Sequence, residues 1–340
     1  LAFPFGTHAA PLLALARRLS SSIPARARFS FLNSATSNRA IFDDRVPENI
    51  RAYDVWDGKP EGGAFSGSIP EAIGLFVNAS PGNFEKAIAE AEEETGLKIS
   101  CLISDAFLWF ASDLAQQRGV PWLPFWTSAS CSLSAHLYTD HILEAAKADQ
   151  EEGTLAFIPG LSKVHFADLP PETFSDKNPS PLALTINNMV KNLPQATAIV
   201  LNSFEEIDPI ITDDLKSKFR NFLNIGPSNI LSSPASRGDG NGCLQWLENQ
   251  TRPKSVVYIS FGSVITPPEG ELVALSEALE TCRLPFLWSI REQGKRFLPA
   301  GFLERTKEVG KIVEWAPQLE VLKHGSIGVF VTHCGWNSIQ

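Results

Sequence analysis

Residues Trp315 to Gln340 read WAPQLEVLKHGSIGVFVTHCGWNSIQ. The stretch opens with a Trp-Ala-Pro-Gln turn and continues through a short helix over Leu319 to Lys323. An apolar strand follows from Ile327 to Thr332 and breaks at His333-Cys-Gly-Trp-Asn-Ser338, where a second helix is expected. An apolar strand feeding a glycine-containing turn and a helix start suits anion binding, because unpaired N–H groups and the positive end of the helix dipole point outward together. Asn337 or Ser338 suits the N-cap, and either could instead donate to a phosphate oxygen. His333 falls at the carboxyl end of the strand, where open α/β sheets place their ligands. Trp315 offers a flat face on which a nucleobase could stack. A buried strand, a capped helix and two core tryptophans would not require His333, Trp336 and Asn337 at these spacings.

Outward from this stretch, short apolar strands alternate with helices, the pattern of a parallel, doubly wound sheet. Leu1 to Phe5 reads as the tail of a first strand, followed by the turn Gly6–Ala10 and a helix over Pro11 to Ser22 with proline in its first turn. Strands are expected over Arg28–Leu32, Ile50–Val55, Cys101–Ser104, Trp122–Trp126, Ile199–Asn202 and Phe222–Ile225, and helices over Glu71–Glu94, Phe107–Gln117, Ser132–Lys147 and Leu182–Leu193. Gly226 to Gly242 (GPSNILSSPASRGDGNG) lacks periodicity and is read as an interdomain linker between residues 1–225 and 243–340. Its GDGNG could pass for a nucleotide loop, but no strand precedes it. Beyond it, a second α/β unit is expected, with helices over Leu244–Asn249 and Glu269–Cys282. Its strands are expected over Val256–Phe261, Phe286–Ile290 and Lys311–Glu314. Two such domains would leave a cleft between them, a usual place for ligands.

The chain of 340 residues is 44% hydrophobic and 20% charged, ordinary for a globular protein, and long enough for about two domains. A net charge of −9 argues against nucleic acid or an acidic membrane surface as partner. The five cysteines (Cys101, Cys131, Cys243, Cys282, Cys334) are scattered and form no C-x-x-C, which fits a reducing cytosol and gives neither a disulfide framework nor a zinc site. No apolar run reaches the ~20 residues of a membrane span. A cytoplasmic location is expected.

The WAPQ…VL.H…G.F.THCGWNS pattern resembles the signature box of plant family-1 UDP-sugar glycosyltransferases. FPFGTHAAPLL, SCLISDAFLWFASDLA, WLPFWTS, LNSFEEID, NIGPSN, CLQWLENQ and SVVYISFGS bring the likeness closest to the flavonoid and anthocyanidin 3-O-glucosyltransferase branch. The resemblance implies the GT-B fold, two facing Rossmann-like domains, the first taking the acceptor and the second the UDP-sugar. It implies that Trp315 stacks on uracil, Gln318 touches the ribose, and His333, Asn337 and Ser338 hold the diphosphate, with Ala316 and Trp336 completing the donor site. Thr127 and Ser263 resemble further donor contacts, although a turn hydroxyl alone is usually structural. In the family the box continues to a Glu and an Asp-Gln or Asp-His pair that would lie beyond Gln340, so the sequence is expected to be a fragment, cut at both ends.

Sugar transfer to a phenolic hydroxyl needs a base for the acceptor proton and stabilisation of a departing diphosphate. His8 follows the first strand, and an imidazole of ordinary pKa near ~6.5 accepts protons at neutral pH. Alone it would more readily be structural; within PFGTHAAP the resemblance makes it the general base. Asp105 ends one strand and starts the next expected helix, where it suits an N-cap; the resemblance makes it the partner that orients His8. His136 matches a pocket histidine of the branch. Gly6, with Pro70 and Pro170, stands where close relatives often carry polar acceptor contacts. Phe107, Trp109 and Phe125 could wall the acceptor, with core packing favoured. No Asp-x-Asp occurs, so no metal is expected on the diphosphate. UDP-glucose is the expected co-substrate and a flavonoid 3-hydroxyl the expected acceptor, in an inverting displacement by a monomer; the alternatives are transfer to another small phenolic, or a catalytically impaired nucleotide-binding fragment. No βα turn carries the G-x-G-x-x-G of a nicotinamide-dependent enzyme.

Overall fold

The computed structural model describes residues 1–23, 27–43, 46–60, 67–148, 153–170, 179–228, 238–262 and 266–340. The chain divides into two compact units, Leu1–Ser232 and Ser233–Gln340. The division falls within 226–242, of which 229–237 lie outside the described residues.

In the N-terminal unit, strands β1 (Phe29–Ser34) and β2 (Ile50–Val55) pair in parallel, and β3 (Leu102–Asp105), β4 (Trp122–Trp126), β5 (Ile199–Leu201) and β6 (Phe222–Asn224) form a parallel four-stranded sheet in that order. The expected first strand is present only as a short extended segment. Ala2 donates to the Leu32 carbonyl at 2.9 Å, Asp105 donates to Leu1 O at 2.8 Å, and the Leu1 nitrogen reaches Ile103 O at 2.7 Å. Residues 1–3 thus stitch β1 to β3. Counted as the first strand, the segment gives the spatial order third-second-first-fourth and onward, with a topological switch between it and β3.

Successive strand residues point to opposite faces. Phe31, Phe125 and Val200 bury with Leu12 and Leu13 of helix α1 (Ala9–Ser22) on one side, and a short helix α2 (Ala35–Ile41), capped by Ser34, follows β1. Leu32, Trp122, Trp126 and Leu201 join the larger core on the other. That larger core includes helix α3 (Ile69–Thr95), capped by Ser68 accepting from Glu71 N, and helix α7 (Pro181–Asn192), capped by Ser180 accepting from Ala183 N. The two helices pack together where Gly74 lets Pro181 approach: a Cβ there would lie 3.3 Å from Pro181 Cγ. The single helix expected over 132–147 is two, α5 (Ser130–Leu137) and α6 (Thr139–Ala148), because Tyr138 leaves helical geometry at φ −100°, ψ 13°. The helix expected from Phe107 begins only at Ala111 as α4 (Ala111–Arg118). Residues 105–111 form successive turns instead, Leu108 N to Asp105 O and Ala111 N to Leu108 O.

The C-terminal unit repeats the plan. Strands β7 (Val256–Ser260), β8 (Phe286–Ser289), β9 (Gly310–Val313) and β10 (Ile327–Thr332) are parallel in the order β10-β7-β8-β9. Its switch point lies between β7 and β10. Tyr258 and Leu287 bury on one face, Ile259 and Trp288 on the other. Two short helices, Glu292–Lys295 and Phe302–Thr306, are additional to those expected. Among the described residues no helix is long and apolar enough to cross a membrane.

Candidate active site

At the N-terminal switch point, the chain leaving Leu1–Phe3 turns and places His8 at the N-cap of α1. Asp105 ends the neighbouring strand, 97 positions away in sequence. His8 Nδ1 lies 2.8 Å from Asp105 Oδ2 and 3.2 Å from Thr127 Oγ1. The other carboxylate oxygen, Oδ1, accepts from Phe107 N at 2.9 Å. Asp105 therefore caps a turn and not α4, whose start is six residues later, and this turn leaves Oδ2 facing the imidazole. With its side chain only 2% exposed, the carboxylate has a strong demand for a donor, and Nδ1–H answers it. That tautomer leaves Nε2 as a proton acceptor. The ring is held in addition by Phe107 at 4.8 Å and Phe3 at 5.2 Å between centroids.

His8 and Thr127 line a cavity of about 800 Å³ contained within this unit. Phe107 and Trp126 form its floor beside them, and the apolar faces of α3 and α7 form its walls through residues such as Ile73 and Ile186. Phe107 is both wall and core, at 8% exposure, whereas Phe125 is core alone and Trp109 is outside the lining. Pro70 and Pro170 line the cavity as well. His136 lies on the wall with its ring edge-on to Trp126 at 5.7 Å. Burial pushes its imidazole down to about 4, so it is neutral at pH 7. Gly6 is exposed in the turn before His8, at φ +61°, and is not part of the lining. The contribution of α7 was not anticipated from sequence; Leu182, Ile186 and Val190 at helical spacing were the available signal.

Of the donor residues expected from sequence, His333, Trp336, Asn337 and Ser338 follow β10 at the C-terminal switch point, whereas Thr127 lies beside His8 in the N-terminal unit. His333 follows β10 directly and lies against Gly262, which follows β7: a Cβ on Gly262 would come within 2.6 Å of His333 Cε1. Gly262 also holds φ +77°, the left-handed region that favours glycine. Gly335, two residues after His333, also lies closely against the same ring. The last helix starts at Trp336 with Gly335 as its N-cap, two or three residues earlier than a cap at Asn337 or Ser338 would give. Gln318 begins the helix Gln318–Lys323 and donates from Nε2 to Ser338 Oγ at 3.3 Å, which joins two of the expected donor contacts. Trp315 is 39% exposed and Ala316 beside it is buried. Ser263 lies outside the described residues. Among the described residues no group of three or more His, Cys, Asp or Glu side chains converges as a metal site.

The UDP-glucoronosyl and UDP-glucosyl transferase family profile matches residues 73–340. An anthocyanidin 3-O-glucosyltransferase of Gentiana triflora is 53% identical over 99% of this chain and 76% of its own length. An anthocyanidin 3-O-galactosyltransferase of Actinidia chinensis var. chinensis is 48% identical over 100% of this chain and 75% of its own. The crystal structure of a UDP-glucose:anthocyanidin 3-O-glucosyltransferase in complex with UDP superposes with a TM-score of 0.93 at 40% identity, covering 100% of this chain and 76% of that one. The chain thus spans about three quarters of the length of these relatives. Its parallel α/β units are those of the GT-B glycosyltransferases. The chain belongs to the UDP-glucoronosyl and UDP-glucosyl transferase family.

Proposed function

We propose that the protein transfers glucose from UDP-glucose to the 3-hydroxyl of a flavonoid, an anthocyanidin or a flavonol, with inversion to a 3-O-β-glucoside. The observation that carries this reading is that His8, paired with buried Asp105 at 2.8 Å, lies on the wall of a largely apolar cavity large enough for a polyphenol. Nε2 of His8 takes the proton of the acceptor hydroxyl as its oxygen forms a bond to C1 of the sugar. The C1–O bond to the diphosphate breaks, and UDP leaves with the electron pair. Asp105 fixes the tautomer before the step and stabilises the imidazolium after it. Neutral His136 offers the acceptor a hydrogen bond without placing a charge in the apolar cavity.

In this reading the N-terminal unit takes the acceptor and the C-terminal unit the donor. Trp315 stacks on the base, Gln318 bonds the ribose, and His333, Asn337 and Ser338 hold the diphosphate, meeting the charge that develops on the leaving group. Ala316 and Trp336 complete the donor surface, and Thr127, beside His8, contacts the sugar. Glucose is preferred because the first relative described above and the superposed structure are both named as glucosyltransferases. The test is mass spectrometry of reactions containing a flavonol and either UDP-glucose or UDP-galactose. A hexose adduct at the 3-hydroxyl formed faster from UDP-glucose is expected. A faster reaction with UDP-galactose would replace the sugar, and UDP binding without any flavonoid product would replace the acceptor.

A further inference from the structure

An indole that is 39% exposed presents its face only as reliably as the backbone beneath it is held. The turn Trp315–Gln318 is held from three directions. Ala316 is buried at 3% exposure in the cluster of Cys243, Leu247 and Val321. Asn241 Nδ2 donates to the Trp315 carbonyl at 2.7 Å. The Tyr258 hydroxyl donates to Gln318 Oε1 at 3.2 Å, which turns the amide so that Nε2 faces Ser338. Tyr258 lies on β7 at 1% exposure, and burial pushes its phenol up to about 12, so it keeps the proton it donates. Neither Asn241 nor Tyr258 belongs to the signature stretch.

Asn241 is itself on a built support. The Asp239 carboxylate accepts from the backbone N–H groups of Cys243 at 2.5 Å, Leu244 at 2.9 Å and Gln245 at 3.3 Å, capping the helix Cys243–Glu248. Gly242 N returns to Asp239 O at 2.8 Å, and Gly238 and Gly242 take φ +70° and +61°. The GDGNG segment is therefore a rigid cap, and Asn241 projects from it onto the Trp315 carbonyl.

We propose that Asn241 and Tyr258 are positioning residues for the donor site: they lock the Trp315–Gln318 turn in the shape that receives a nucleotide base and its ribose. The proposal rests on the reading of Trp315 and Gln318 as base and ribose contacts given above. Locking the turn before the ligand arrives removes an ordering cost from binding and leaves the chemical step untouched. Asn241→Asp keeps the shape of the side chain and removes its donor; Tyr258→Phe removes only a hydroxyl. UDP and uridine are titrated into both variants, into Trp315→Ala and into the unaltered protein, and steady-state constants are measured beside them. Each positioning variant is expected to bind UDP and uridine alike about 2- to 10-fold more weakly, the worth of one hydrogen bond. The donor KM rises by the same factor, and kcat and the acceptor KM stay unchanged. Unaltered affinity in both variants, with affinity lost in Trp315→Ala, overturns this inference and leaves the donor site standing. Unaltered affinity in Trp315→Ala overturns the donor-site reading and the inference together.

Discussion

At the switch point of the N-terminal unit, two side chains meet: an imidazole after one strand and a carboxylate at the end of its neighbour, joined at 2.8 Å. At the switch point of the C-terminal unit, an imidazole meets a glycine. The strand order is the same in both, so the scaffold delivers the same place twice and the residue types decide what it becomes. A paired imidazole with a fixed tautomer beside a largely apolar cavity can move a proton. An exposed imidazole resting on Gly262, in the same turn-and-helix segment as Ser338, which accepts from Gln318, can hold a ligand. Proton transfer and donor binding are thus expected to separate cleanly under substitution.

The largest effect is expected at His8. His8→Ala should lower kcat by about 10²- to 10⁴-fold, the usual worth of a general base, in a product assay. Asp105→Asn follows, at about 10²-fold or more, because an amide no longer selects the Nδ1–H tautomer. Its pH–rate profile should change together with kcat. Gly262→Ala tests the other unit. A methyl group at φ +77° strains the backbone and displaces His333, so UDP affinity should fall about tenfold, roughly 1.4 kcal/mol, in a calorimetric titration.

The last expected effect is on stability, through His136 on the cavity wall. Its folded-state pKa of about 4 lies below the ordinary value of ~6.5, so the unfolded chain binds the extra proton first. The associated stability is present above pH ~6.5 and is lost as pH falls from there to about 4. Urea unfolding at both ends of that window should show His136→Gln losing on the order of 2 kcal/mol less on acidification than the unaltered protein.

The sequence made the alternation of strands and helices legible because short apolar or alternating runs are set off by turn residues, and several strands have the bounds expected for them: Trp122–Trp126, a largely buried run, Ile50–Val55, which alternates buried and exposed residues, and Ile327–Thr332, an apolar run that stays partly exposed. It did not show that residues 1–3 lie beside β3, since strand neighbours are a property of topology, not of local pattern. The His8–Asp105 pair therefore came from family likeness alone. The helices Glu292–Lys295 and Phe302–Thr306 were invisible because two turns or fewer leave no periodicity to read, and the break at Tyr138 because neither Gly nor Pro marks it. The Asn241–Trp315 hydrogen bond spans 74 positions, and the loop composition of GDGNG pointed to a linker where the geometry has a helix cap. Capping by Asp239 from before the N-cap has no simple sequence signature.

The central claim is that the two switch points divide the work, and UDP titration of His8→Ala beside Gly262→Ala tests it most directly. The division predicts that His8→Ala binds UDP as the unaltered protein does while turnover is lost, and that Gly262→Ala binds UDP more weakly. Equal loss of UDP affinity in the two variants, or full turnover without His8, would contradict it.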